Sequence, residues 1–179
     1  MHIFTIVFLL TDPYKFVYVA LIFYIVSALL DKVDGIVARK TGSSTEFGRF
    51  FDGTVDKVSS LTIMATFACI TSEITLWFFL LVLFRDLTVE GLRQYIAVKG
   101  VFPKGQMSGK VKVFLQMVLM GFTFLVFTPF YQGDVAVYLE KFLLFLQIAI
   151  LALGFYSLYL YFMEIKHEIV KEINVRNRK

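Results

Sequence analysis

Residues 31–58, "DKVDGIVARKTGSSTEFGRFFDGTVDKV", separate two strongly apolar runs and carry four aspartates, Asp31, Asp34, Asp52 and Asp56. The stretch divides at "KTGSST". Gly42 suits a helix C-terminal cap, and Ser43 with Glu46 has the spacing of a capping box, so the segment predicts two helices joined as a tight hairpin. Asp31 and Asp34 share one face of the first helix, about 60° apart. Gly48, Asp52 and Asp56 follow at i, i+4 and i+8 on the second, forming a stripe that can face the first pair. Four carboxylates could therefore converge on one point.

The chain around this hairpin is too apolar for an ordinary soluble domain: of 179 residues, 58% are hydrophobic and 17% aromatic. Apolar stretches near the roughly 20 residues that cross a bilayer recur at about 14–33, 54–72, 74–97, 110–130 and 138–163. "MHIFTIVFLL" supplies only about half a crossing before "TDPYK" turns the chain, as though the sequence begins inside a first transmembrane helix. No long polar insert, low-complexity tract or internal repeat interrupts the series. The expectation is an all-α polytopic membrane bundle of about six helices, forming a single domain over residues 1–179.

Basic residues set the expected orientation. If 31–57, 85–112 and the tail after Met163 face the cytoplasm, they hold 16 of the 18 Lys and Arg, leaving Lys15 and Lys141. The net charge of +4 lies at membrane boundaries and is interleaved with acids. That argues against nucleic acid and for anionic lipid or phosphorylated substrates. Cys69, the only cysteine, cannot pair within the chain and reads as packing. His2 and His167 lack a ligand cluster and, like Trp77, read as interface or packing residues. The tail "KHEIVKEINVRNRK" predicts a continuation of the last helix against anionic headgroups.

Hard divalent cations take oxygen ligands, and four aspartates suit a two-metal site that clamps a phosphoryl group. Small residues at Gly35, Ala38 and Gly48 would permit close approach of a ligand, and the forked donor of Arg39 can reach a diphosphate. Any one aspartate alone reads as a solvated helix end. The constellation is specific where its parts are not.

Asp31, Asp34, Gly35, Ala38, Arg39, Gly48, Asp52 and Asp56 reproduce every interval of DxxDGxxAR, eight residues, then GxxxDxxxD. This resembles the signature of the CDP-alcohol phosphotransferases. The resemblance implies a six-helix membrane enzyme, usually a homodimer, with a polar cavity at the cytoplasmic face of the cell membrane. Such an enzyme transfers a phosphatidyl group from a CDP-linked lipid to an alcohol and releases CMP. By position, the resemblance implies that Asp31, Asp34, Asp52 and Asp56 hold Mg²⁺ or Mn²⁺, two ions in all. Asp56 is also implied as the general base, and Asp31, Gly35, Ala38, Arg39 and Gly48 as the residues that accommodate the CDP-lipid. The amphipathic stretch NxPNxLTxxR that usually opens the family is absent here.

"RDLTVEGLRQY" places Arg85, Asp86, Glu90 and Arg93 inside a span, where charges are functional candidates. Arg85 and Arg93 lie about 80° and roughly 12 Å apart and could line two sides of one cavity. Lys110 and Lys112 of "SGKVK" begin the next span and could complete a second anion site. Arg85, Asp86, Leu92, Arg93, Gly109, Lys110 and Lys112 together resemble bacterial phosphatidylglycerophosphate synthases, with Asp86 where those commonly have Glu. That implies CDP-diacylglycerol as donor and sn-glycerol 3-phosphate as acceptor, with Arg85, Arg93, Lys110 and Lys112 on its phosphate. Cardiolipin, phosphatidylinositol phosphate and phosphatidylserine synthases are the competing expectations. A cation transporter or proton relay is the rival from another class, against which stands the clustering of the aspartates at one interface.

Overall fold

The structure is a computed structural model describing residues 2–40, 46–98 and 107–176, with side chains outside 31–32, 34–40, 46–53, 96–98, 108, 164 and 167–176. All elements among the described residues are helical: α1 (His2–Thr11), α2 (Pro13–Lys40), α3 (Glu46–Ile70), α4 (Leu76–Val98), α5 (Met107–Thr123), a 3₁₀ turn (Phe124–Phe127) and α6 (Gly133–Arg176). Gly42 and Ser43, expected to cap the aspartate hairpin, lie outside the described residues. Glu46, the far end of that capping pattern, is the first residue of α3.

Local chemistry sets the helix ends. Pro13 opens α2 with its ring preset for a first helical turn, while Asp12 accepts the Lys15 backbone N–H at 3.1 Å. The chain reverses there, so α1 folds back along α2, and Phe4 and Phe8 stack on Phe23 with centroids 5.6 and 5.7 Å apart. Thr75 caps α4 by accepting the Phe78 N–H at 3.3 Å. Entry into α6 needs a left-handed residue, and Gly133 takes φ 56°.

Three helices are long and apolar enough to cross a bilayer by length and composition: Pro13–Leu30, Gly109–Phe127 and Gly133–Met163. α3 and α4, at 25 and 23 residues, have the length expected of spans but carry charged residues within them. On α4 the burial is inward: Arg85 is 7% exposed. The outside of the bundle is greasy instead, with Trp77, Phe130, Tyr138 and Tyr14 each more than two-thirds exposed. A surface of this kind suits lipid, and the chain is a helical membrane protein. Cys69, expected to pack, faces outward from α3.

The interior is layered. One apolar cluster joins Leu9, Tyr24, Phe67, Phe78, Leu119 and Ile150, one from each α-helix. A second, smaller one contains Val89, Leu158 and Tyr161. Along α4 the sequence Val82, Arg85–Asp86, Val89 passes from the first cluster through charge to the second. The charged layer is thus clamped between two dry layers, which is the fold's contribution to the site.

Candidate functional site

The charged layer surrounds a cavity of about 490 Å³ lined by Lys57 of α3, Arg85, Asp86 and Arg93 of α4, and Gly109 and Lys110 of α5. Arg85, Arg93 and Lys110, expected to bind an acceptor phosphate, are therefore brought together. Lys112, expected to join them, is not among the lining residues. It is 1% exposed, and its ammonium donates to both carboxylate oxygens of Asp86 at 2.8 and 2.7 Å.

Asp86 holds two cations at once. Arg85 Nη1 donates to Asp86 Oδ1 at 2.8 Å, and Arg85 Nε donates to the Gly154 carbonyl at 2.9 Å. In a dry layer a carboxylate with two charge-assisted partners fixes its neighbours strongly, so Asp86 locks α4 to α5 while Arg85 ties α4 to α6. Arg93 uses a different partner: Nε and Nη2 donate to the Tyr161 hydroxyl at 3.1 and 2.7 Å. Its guanidinium lies 5.3 Å from the Tyr161 ring centroid.

Lys57 pairs with Glu90. Glu90 was among the charges singled out on α4, whereas Lys57 was not expected at the acceptor site. Lys57 had a signal in the sequence, since it follows Asp56 directly on α3. Tyr161 had none, because its role comes from contact with a residue 68 positions away. Among the described residues, the lining of this cavity thus carries four cations, Lys57, Arg85, Arg93 and Lys110, and one carboxylate, Asp86. The excess of positive charge suits an anionic ligand.

A second cavity, of about 220 Å³, adjoins the first. Asp56, Ser60, Tyr24, Met117 and Met120 line it, and Val113 lines both cavities. The Tyr24 hydroxyl donates to the Met117 carbonyl at 3.0 Å and ties α2 to α5. Asp56 therefore stands on a helix turn between a cationic chamber and a largely apolar one.

The other signature residues sit on described helix but their side chains lie outside the described residues. Asp31, Asp34, Gly35, Ala38 and Arg39 occupy the closing turns of α2, and Gly48 and Asp52 the opening turns of α3. Unbroken helix over 46–70 puts Gly48, Asp52 and Asp56 on one face. Five residues separate the end of α2 from the start of α3. Among the described residues no group of three metal-ligating side chains occurs, three of the four aspartates being outside them. Carboxylate donors alone suit a hard divalent cation and no soft one.

Buried guanidinium and ammonium groups inside a helical bundle with a greasy exterior define a helical membrane protein with a cationic interior. Comparison with known proteins makes this specific: a CDP-alcohol phosphatidyltransferase family model matches residues 1–157, and the chain belongs to that family. It is 33% identical over 103 residues to a "Probable phosphatidylglycerophosphate synthase" of Mycobacterium tuberculosis, covering 58% of this chain and 48% of that protein. It is 31% identical over 112 residues to a "CDP-diacylglycerol–glycerol-3-phosphate 3-phosphatidyltransferase" of Bacillus subtilis, covering 61% and 56%. A protein of that same name in Rickettsia typhi is 36% identical over 96 residues, covering 52% of each. The chain thus spans about half the length of the relatives it matches.

Proposed function

We propose that the protein transfers the phosphatidyl group of CDP-diacylglycerol to sn-glycerol 3-phosphate, giving phosphatidylglycerophosphate and CMP. The observation that carries this reading is the cationic cavity next to the turn of α3 that bears Asp56. A phosphorylated acceptor needs such a cavity, and an uncharged alcohol such as glycerol does not. The names of the relatives support the same donor and acceptor.

In this reading the acceptor phosphate enters among Arg93, Lys110, Arg85 and Lys57, with Arg85 and Lys112 fixed by Asp86. Its free primary hydroxyl points past Val113 toward Asp56. Asp56 takes the hydroxyl proton as the oxygen forms a bond to the lipid-side phosphorus, and the bond from that phosphorus to the CMP oxygen breaks. Gly35, Ala38 and Gly48 leave room for the nucleotide diphosphate, and Arg39 with Asp31 borders it. Asp31, Asp34, Asp52 and Asp56 would hold two Mg²⁺ or Mn²⁺ ions, whose chemistry is to neutralise the diphosphate and the departing CMP.

The same reading places the site at the cytoplasmic face of the cell membrane, in a single domain that works as a homodimer. The basic residues of 31–57 and 85–112 support the orientation.

Asp56→Asn tests the assignment. Purified full-length chain in detergent with Mg²⁺ should lose CMP release by at least about a hundredfold, the lower range for a general base. Full CMP release would remove Asp56 from the chemistry. Ion flux without nucleotide chemistry in the unmodified protein would favour a transporter instead.

A further inference from the structure

α4 presents two arginines to α6, and among the described residues α6 receives both with uncharged oxygens. Arg85 Nε donates to the Gly154 carbonyl at 2.9 Å. Two helical turns further along both helices, Arg93 donates twice to the Tyr161 hydroxyl, at 3.1 and 2.7 Å. Tyr161 is 1% exposed and packs with Val89 and Leu158, so its ring cannot follow a wandering side chain. Arg93 itself is half-buried and lines the cationic cavity.

A guanidinium carries five N–H donors in a rigid plane. Fixing Nε and one Nη2 hydrogen on a buried phenol sets the plane, and the remaining donors keep one direction. A carboxylate in place of the phenol would orient Arg93 equally well but would cancel its charge and compete with an incoming anion. A neutral acceptor orients the group and leaves its charge for the ligand.

We propose that Tyr161 is a positioning residue that holds Arg93 ready for the acceptor's phosphate, an inference that rests on the phosphatidyl-transfer reading above. Tyr161 lies beyond residues 1–157, the part that the family model matches. Its role comes from this chain's own contact between α4 and α6.

The test is a double-mutant cycle on CMP release by the full chain in detergent with Mg²⁺. Tyr161→Phe keeps the ring and removes the acceptor oxygen. It should raise the KM for sn-glycerol 3-phosphate about tenfold while kcat and the KM for CDP-diacylglycerol stay within about twofold, the scale of one hydrogen bond to a charged group. In an Arg93→Gln background the same change should move the acceptor KM by less than about twofold. An unchanged acceptor KM, or equal effects in both backgrounds, would overturn the proposal. Should Tyr161→Phe fail to fold, Tyr161→Leu, which likewise removes the acceptor oxygen and keeps the site apolar, is read in the same cycle with the same criteria. If the unmodified protein releases no CMP with sn-glycerol 3-phosphate, the transfer reading fails. The cycle is then read on binding of inorganic phosphate by calorimetry, where coupling between positions 161 and 93 sustains the positioning role and independence of the two overturns it.

Discussion

The Lys112 ammonium, 1% exposed, lies 2.8 and 2.7 Å from the two carboxylate oxygens of Asp86, and the same carboxylate accepts from Arg85. Lys112 is thus a structural cation standing behind a cavity whose walls belong to Arg85, Arg93, Lys57 and Lys110.

This arrangement makes loss of the acid worse than loss of the base. Asp86→Leu strands two buried cations and should cost about 3–5 kcal/mol, the range for removing one partner of a buried pair. Lys112→Met leaves Asp86 with Arg85 and should cost clearly less. Thermal midpoints of both variants in one detergent check the order. Equal loss in the two would contradict the shared-carboxylate geometry.

Among the cavity cations, Arg93 should dominate acceptor affinity, because Lys110 is exposed and Lys57 already has Glu90. Arg93→Gln is expected to raise the acceptor KM about tenfold or more, and Lys110→Gln by only a fewfold, since exposed charges are screened by water and salt. Steady-state kinetics with CDP-diacylglycerol saturating separate the two.

Gly133 is the one described residue with positive φ, 56°. Gly133→Ala should destabilise the entry to α6 by about 1–2 kcal/mol on conformational grounds, although no atom lies within 4 Å of the added Cβ. An unchanged thermal midpoint would mean that the turn adopts another conformation.

At the opposite end of the bundle, the Tyr131 hydroxyl lies 2.7 Å from Glu73 Oε1 and 2.9 Å from Glu140 Oε1, and Gln147 donates to the Glu73 carbonyl at 2.8 Å. Burial, then the hydrogen bonds and charges of the two glutamates, push the phenol well above its ordinary value. A raised folded-state value means stability that is complete below about pH 10, the unfolded value, and lost as pH rises through the higher folded one. The midpoint of the unmodified protein should therefore fall above about pH 10 more steeply than that of Tyr131→Phe. Parallel pH profiles would show that the bridge is not present in solution.

The sequence made the alignment on α3 legible because its information is local. Helix spacing alone aligns Gly48, Asp52 and Asp56, and α3 runs unbroken through all three. The intramembrane charges were equally visible, since Arg85 and Arg93 stand out in an apolar run. Their partners were not, because partnership is set by helix packing. Arg85 and Lys112 were both legible as candidates for a phosphate, but only the assembled bundle shows that Asp86 holds both. Tyr161 looked like one aromatic among many, and only the crossing of α4 and α6 brings it to Arg93. Helix count and length were likewise readable, while the inward turn of the charges on α4 needed the assembled bundle.

The most direct measurement is CMP release from CDP-diacylglycerol by the purified full chain in detergent with Mg²⁺, with acceptors offered one at a time: sn-glycerol 3-phosphate, glycerol, serine, inositol phosphate and phosphatidylglycerol. The expected result is release that depends on sn-glycerol 3-phosphate and is lost when the acceptor lacks its phosphate. Equal release with glycerol or serine would contradict a cationic cavity that selects a phosphorylated acceptor.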